Sequence, residues 1–304
     1  ALKTGKLDLR PNSQAVQITH DRNGKVDGVL YIDTKTKALH RQEAKVVCVA
    51  GNSIETPRLF LMSASSMFPN GLANSSDQVG RNYMRHLTGS VYARFDKPVN
   101  FYRGETMAGF LADEVKNNPK RGFVGGYYLE TLALGPSFMG AFLEPGGWGK
   151  KFADMMDGYQ NLAGMWIVGE DMPQANNRIT LGSAKDAFGL PAPNVHFDDH
   201  PNDTAMRNHA YKVGEKIYKS VGAKKSWRTT PYPHTHNLGT MRMSAKKKDG
   251  VTNKWGRCHD IKNLFVSDGS VMTTGAACNP TLTIVALAIR QGEYLADQLK
   301  KGKI

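Results

Sequence analysis

Asn279 and Pro280 stand between a loop of small residues, 273–278, and an apolar run, 285–289. Proline fits the first turn of a helix because the N–H group at that position has no helical partner anyway. The segment therefore predicts a buried helix whose N-terminus points at the preceding loop. Free N–H groups and a partial positive charge at that end suit a group that is negative or becomes negative during a reaction.

A neutral histidine can accept a hydroxyl proton near pH 7, and His236 is a candidate for that role. It opens an H-x-x-G-T pattern completed by Gly239 and Thr240. Without those two residues, His236 would read as an ordinary histidine of a loop or core edge. His234 shares its face in an extended segment, which leaves a metal pair open, but the sequence offers no third ligand.

Five segments in a fixed order carry a family resemblance. They are V-V-C-V-A-G-N-S-I-E-T-P-R-L at 46–59, V-G-R-N-Y-M-R-H at 79–86, H-N-L-G-T-M-R-M at 236–243, F-V-S-D-G-S-V at 265–271 and Asn-Pro at 279–280. Each is weak alone. Together they resemble the glucose–methanol–choline (GMC) oxidoreductases, and they run from the first fifth of the chain to its end.

The resemblance implies FAD as cofactor and oxidation of an alcohol group. His236 would be the base that takes the hydroxyl proton, and Asn279 its hydrogen-bond partner at the developing alkoxide. The hydride would pass to N5 of the flavin. A flavin under reduction gains charge at its N1/C2=O edge, which suits the predicted helix N-terminus. His86 would either line the cleft near the flavin or be a packed loop histidine.

The resemblance also places further residues beside the cofactor, and each has a simpler alternative. Asp268 could merely end a strand, Asn279 could be a helix N-cap, and Gly51 with Asn52 could be a plain βα turn. The implied cofactor-binding residues are Gly51 and Asn52 near the adenosine end, Asp268 and Gly269 near the ribityl or diphosphate region, and Asn279, Pro280 and Thr281 at the helix start.

Within the family, three details are similar to bacterial sugar, polyol and sugar-acid dehydrogenases of the gluconate dehydrogenase type. These are the helix sequence after Asn279, the segment 170–181 and F-G-L-P at 188–191. That resemblance implies a small alcohol or sugar substrate, a small subunit and a cytochrome or quinone-linked acceptor as partners, and a periplasmic or membrane-associated location in bacteria. An oxygen-using GMC oxidase stays open.

Composition argues against several other classes of protein. The chain of 304 residues has a net charge of +13, but its lysines are scattered and no nucleic-acid motif is present, so we expect no nucleic-acid partner. Three cysteines are too few for a disulfide framework, and Cys48, inside an apolar strand, reads as an inert core thiol. No apolar stretch reaches membrane-spanning length.

The predicted fold class is α/β, α+β overall. It combines a GMC-type FAD-binding Rossmann-like domain, incomplete here, with an antiparallel-sheet substrate domain. The predicted elements are a hairpin within 7–33, a strand at 45–50 followed by a helix, and a helix at 203–221 with Asn202 or Asp203 as cap. The predicted domains are 1–95 for the first part of the FAD-binding domain, 96–227 for the substrate-binding domain, and 228–304 for the C-terminal part with the catalytic residues.

No G-x-G-x-x-G motif occurs in the chain. The resemblance implies that this phosphate-cradling loop comes from a polypeptide that carries the N-terminal FAD-binding segment. We therefore expect the chain alone to hold FAD weakly. A different interpretation is a non-catalytic scaffold subunit or fragment that keeps the fold without its own cofactor.

Overall fold

The computed structural model describes residues 1–143, 145–229, 231 and 235–304. Its strands are β1 (Ser13–His20), β2 (Val26–Asp33), β3 (Leu39–Glu43), β4 (Val47–Val49), β5 (Leu87–Arg94), β6 (Phe110–Leu111), β7 (Tyr127–Thr131), β8 (Leu162–Gly169), β9 (Arg178–Lys185), β10 (Pro191–His196), β11 (Lys225–Arg228) and β12 (Leu264–Val266). Its α-helices are α1 (Asn52–Met62), α2 (Pro136–Leu143), α3 (Gly149–Asp157), α4 (Pro201–Ser220) and α5 (Thr281–Lys300).

The strands form both antiparallel and parallel sheets. The largest is a five-stranded antiparallel sheet in the order β11-β5-β8-β7-β6. Strands β1, β2 and β3 form an antiparallel meander, β9 pairs with β10, and β4 pairs in parallel with β12. This confirms the predicted mixed α/β class with an antiparallel sheet.

The buried hydrophobic residues form separate clusters, and each cluster combines segments that are not contiguous in the sequence. One cluster joins residues within 18–79 to residues within 241–271, and the parallel β4–β12 pair lies inside it. A second cluster draws on residues within 87–218, where α4 packs on the five-stranded sheet. That sheet begins with β5 at Leu87, ahead of the predicted boundary at residue 95. The three-domain division itself stays a prediction.

Helix α4 begins two residues before its predicted start and has a different cap. Pro201 is its first residue, and Nδ1 of His200 accepts the Asn202 N–H at 3.0 Å. The Asn202 side chain instead bonds both backbone groups of Val124. Asp203 is buried and accepts the Met172 N–H at 3.1 Å. The predicted caps thus join the helix to neighbouring loops.

Two apolar elements are more exposed than their sequences predict. Cys48 lies on the exposed side of β4, so the expectation of a core thiol is wrong. Helix α5 is exposed over most of its length, with Leu282 85%, Val285 49% and Ile289 60% exposed. Among the described residues, no layer covers these two surfaces. In the same part of the chain, no helix combines the length and apolarity needed to cross a membrane.

Candidate active site

An isolated antiparallel bridge sets the geometry around His236. Met84 and Leu238 exchange both backbone hydrogen bonds at 3.0 Å. Because partners diverge in opposite directions along antiparallel strands, residue 86 lies across from residue 236. Gly239 has φ of +94°, and a Cβ there would lie 2.1 Å from the carbonyl oxygen of Asn82. The glycine of the H-x-x-G-T pattern is therefore needed for this close crossing.

His86 and His236 form a hydrogen-bonded pair. Their Nδ1 atoms are 2.9 Å apart, and Nε2 of His86 lies 2.9 Å from the carbonyl oxygen of Ala276. His86 is fully buried, and both His86 and Ala276 have left-handed backbone, with φ of +66° and +55°. Such conformations persist where surrounding contacts enforce them. The structure thus shows His86 packed in direct contact with the predicted base, and a position beside the flavin stays a prediction.

The environment of His236 favours its neutral form. Burial lowers the pKa of His236 below the ordinary histidine value, and the nearby Glu130 carboxylate opposes part of that shift. Burial disfavours the charged imidazole, whereas a negative neighbour favours it. A half-buried imidazole that is neutral near pH 7 can accept a proton, which is the chemistry predicted for it.

Glu130, in the middle of β7, is the site residue that the sequence interpretation missed. It is 5% exposed, and its Oε1 accepts the Tyr128 hydroxyl at 2.7 Å and the Asn279 amide at 3.0 Å. Its Oε2 is buried without a hydrogen-bond partner among the described residues. The available signal was a carboxylate next to the apolar and aromatic residues Tyr127, Tyr128 and Leu129, since buried charges need partners or a function.

Asn279 lies two residues before the start of α5, and its amide is held by Glu130 rather than by the helix. Pro280 occupies the cap position, and no side chain caps the first turn among the described residues. Thr281 and Thr283 are exposed there. The structure therefore leaves the α5 N-terminus open, with Asn279 at its mouth, as the apolar run and the proline predict.

Asp268 joins the end of β12 to the start of α1. Its Oδ2 accepts the Asn52 N–H at 3.0 Å and the Thr56 hydroxyl at 2.6 Å. Its Oδ1 accepts the N–H and the hydroxyl of Ser270. Asp268 therefore does more than end a strand, because its carboxylate holds β12 and α1 together. A contact of Asp268 with a ribityl or diphosphate group stays a prediction.

Three further predicted cofactor-binding residues, Gly51, Asn52 and Gly269, lie in tightly packed backbone around Asp268. Asn52 has φ of +70°, and its side chain accepts the Ile54 N–H at 2.8 Å, which caps α1. A Cβ on Gly269 would lie 2.9 Å from Leu238, and a Cβ on Gly51 would lie 3.3 Å from Thr56. This region is thus built from residues with special backbone needs, and its place near the adenosine end of a cofactor stays a prediction.

The predicted residues fall into two groups. His236 and Asn279 both neighbour Glu130, whereas Gly51, Asn52, Asp268 and Gly269 gather at the β4–α1 turn. His234, the other half of the possible metal pair, lies outside the described residues. Within them, no group of three or more histidine, cysteine or carboxylate side chains could hold a metal ion.

Comparison with known proteins identifies the family. Residues 173–288 match the family model described as GMC oxidoreductase. The chain belongs to the GMC oxidoreductases, as its five sequence segments predict.

Two relatives within the family match almost the whole of this chain. A 2-methyl-1,2-propanediol dehydrogenase from Mycolicibacterium austroafricanum is 39% identical over 304 residues, which are 95% of this chain and 54% of that protein. The fructose dehydrogenase large subunit from Gluconobacter japonicus is 30% identical over 323 residues, which cover 99% of this chain and 56% of that protein. The chain thus spans about half the length of these two relatives, one named a diol dehydrogenase and the other a fructose dehydrogenase.

A solved structure shows the same fold. A formate oxidase from Aspergillus oryzae, solved in a study of FAD modification, superposes with a TM-score of 0.67 at 16% identity. The match covers 95% of this chain and 60% of that chain. At this identity the likeness defines the arrangement of the chain, and the chemistry must come from the site.

Proposed function

We propose that this chain supplies the substrate side of an FAD-dependent oxidoreductase that oxidises an alcohol group of a sugar, polyol or sugar acid. The observation that carries the proposal is the cluster of His236, Glu130 and Asn279 at the open N-terminus of α5. It combines a neutral base, a hydrogen-bond donor and a positive helix end.

His236 and Asn279 would share the work on the substrate hydroxyl. His86 occupies Nδ1 of His236, so Nε2 is the ring nitrogen left to take the hydroxyl proton. The Asn279 amide has two N–H groups, of which Glu130 accepts one. The second can donate to the alkoxide that develops as the proton leaves.

The residues present fit FAD. The 20-residue helix α5 has no side-chain cap among the described residues, so its first-turn N–H groups would suit the flavin edge that gains charge on reduction. The left-handed Asn52 and the closely packed glycines of the β4–α1 turn would let the backbone approach the cofactor. FAD, when bound, would accept the hydride from the carbinol carbon. Asn279, Pro280 and Thr281 would lie at its flavin end, and Gly51, Asn52, Asp268 and Gly269 toward its ribityl and adenosine parts.

We further propose that a polypeptide with the remaining FAD-binding segment covers the exposed faces of β4 and α5. Cys48, Leu282, Val285 and Ile289 give these faces an apolar character, and large exposed apolar patches mark contact surfaces. The share of its relatives that the chain spans supports this occupant. A small subunit and a cytochrome or quinone-linked acceptor are proposed as further partners, because a relative is named a large subunit.

The test uses the full-length protein, with 2-methyl-1,2-propanediol, fructose and gluconate as substrates and an artificial electron acceptor. We expect a flavin absorption spectrum, turnover of at least one substrate, and loss of about 10²–10⁴-fold in kcat on His236→Ala. His196→Ala, at an exposed histidine of β10, is the matched control and should retain activity. A colourless protein that cannot be reconstituted with FAD would instead support the non-catalytic scaffold.

A further inference from the structure

We propose that His86 is a positioning residue that fixes the tautomer of His236, so that Nε2 of His236 carries the lone pair that takes the proton. The inference rests on the proposed function only in its use of His236 as base. The tautomer itself follows from hydrogen-bond geometry in the described chain.

The first step concerns His86. A carbonyl oxygen accepts hydrogen bonds and never donates, so the 2.9 Å contact with Ala276 puts the N–H of His86 on Nε2. His86 is 0% exposed, and burial disfavours a charged imidazole. A neutral His86 with its proton on Nε2 has a lone pair on Nδ1.

The second step carries this assignment to His236. The two Nδ1 atoms are 2.9 Å apart, so one of them must donate. Because Nδ1 of His86 carries the lone pair, Nδ1 of His236 is the donor. A neutral imidazole has a single N–H, so Nε2 of His236 is unprotonated and available as a base.

The backbone holds this chain of bonds in place. The Met84–Leu238 bridge fixes the two histidines across from each other, and left-handed backbone at His86 and Ala276 orients the outer bond. Ala276 lies three residues before Asn279 in the same loop. His86 therefore ties the segment that carries the base to the loop that leads into α5, and it sets both the tautomer and the position of His236.

Nitrogen NMR tests the tautomer without reference to turnover. In the full-length protein labelled with ¹⁵N-histidine, His236 is assigned by the resonances lost in His236→Gln. We expect wild-type His236 to be neutral, with its proton on Nδ1. His86→Phe removes the acceptor, so the Nε2–H tautomer should become the major form and kcat/KM should fall about 10–100-fold, as for other partners that fix the tautomer of a functional histidine.

Two conservative variants separate the two bonds of His86. The Asn oxygen of His86→Asn sits near the position of Nδ1 and can accept from His236, so the wild-type tautomer and most activity should return. His86→Gln reaches toward Ala276 instead and should rescue less. Near-ultraviolet circular dichroism confirms folding in each variant.

A wild-type His236 protonated on Nε2, or a tautomer unchanged in folded His86→Phe, would overturn the inference. Should His236→Ala turn over normally while the Nδ1–H tautomer is observed, the proposed function fails and the role of His86 in setting the tautomer stands. The two claims are therefore tested separately.

Discussion

The hydroxyl of Thr240 donates to the carbonyl of Ser53 at 2.8 Å. In a regular helix this carbonyl would accept the N–H of the residue four positions on, but that residue is Pro57, which has none. Both Thr240 and Ser53 are fully buried. Pro57 of the T-P-R-L segment thus leaves the Ser53 carbonyl without a helical donor, and Thr240 of the H-x-x-G-T segment supplies one. This bond anchors the irregular segment that carries His236.

Replacing Thr240 with Val should destabilise the protein by about 1–3 kcal/mol, because the buried Ser53 carbonyl loses its donor while the shape of the side chain is kept. Urea unfolding of the full-length protein measures this. Thr240→Ser keeps the hydroxyl and should recover most of the loss. Equal stability of the Val variant and the wild type would show that this bond contributes nothing.

Gly239→Ala should disrupt the site much more than an alanine at an unrestricted glycine. The new Cβ would meet the Asn82 carbonyl at 2.1 Å and would require a backbone with φ of +94°. We expect loss of soluble protein or a marked drop in melting temperature. The control is Gly135→Ala, where a Cβ meets nothing within 4 Å; a Gly239 variant as stable as this control would contradict the close crossing.

Glu130→Gln should slow catalysis and shift its pH dependence. The carboxylate raises the pKa of His236 against the effect of burial, so removing the charge should move the acid limb of kcat/KM to lower pH. It also removes stabilisation of the imidazolium formed on proton transfer, about 1–2 kcal/mol, or about 5–30-fold in rate. The amide oxygen of glutamine can still accept from Tyr128 and Asn279.

The matched control for that variant is Glu215→Gln on α4, whose carboxylate pairs with Arg228 away from the site. It should leave both the rate and the pH limb unchanged. An acid limb that stays in place, or moves to higher pH, in Glu130→Gln would show that this carboxylate does not act on His236.

Asp171 should make the protein less stable as pH rises. It is 2% exposed, and burial together with Asp203 raises its pKa to about 7; burial also raises the pKa of Asp203 to about 6. Between the unfolded pKa, about 4, and these folded values the native state binds more protons than the unfolded chain. The free energy of unfolding should therefore fall as pH rises from about 4 to about 7.

Asp171→Asn should flatten that slope, because the variant lacks the titrating carboxylate. The amide oxygen can still accept the Arg85 N–H that Asp171 accepts at 2.7 Å. Denaturant unfolding at several pH values measures the slope, which cannot exceed about 1.4 kcal/mol per pH unit for each proton. Asp96→Asn, at an exposed carboxylate, should leave it unchanged. An unchanged slope in Asp171→Asn would place the titration elsewhere.

The family resemblance pointed to His236 and Asn279 as site residues, and their neighbours Gly239 and Pro280 carry local backbone requirements that make the resembling segments recognisable in the sequence. A glycine at a close backbone crossing and a proline at a helix start are local preferences that the sequence alone reveals. Apolar spacing and turn residues predicted the β1–β2 hairpin and the α1 and α4 helices, and the resemblance implied the mixed fold class. Only the outer residues of α4 shifted, since its true cap, His200, is not among the usual capping residues.

Glu130 and the role of His86 could not be read in the same way. Glu130 reaches Asn279 across 149 residues of sequence, and His86 reaches His236 across 150. No local pattern encodes such a pairing, which depends on the register of the five-stranded sheet and on one isolated bridge. The exposure of Cys48 and α5 was missed because an apolar pattern predicts burial but does not identify the element that covers the apolar face.

Flavin bleaching in a single turnover tests the central claim most directly. The oxidised full-length protein is mixed with substrate over a range of pH, and His236→Ala is treated in the same way. The account predicts a wild-type rate that decreases as the pH is lowered through a pKa below the ordinary histidine value, because protonated His236 cannot act as the base. His86 and Glu130 are the neighbouring side chains that face His236. His236→Ala should bleach about 10²–10⁴-fold more slowly and lack that limb. A variant that bleaches at nearly the wild-type rate with the same limb would contradict it.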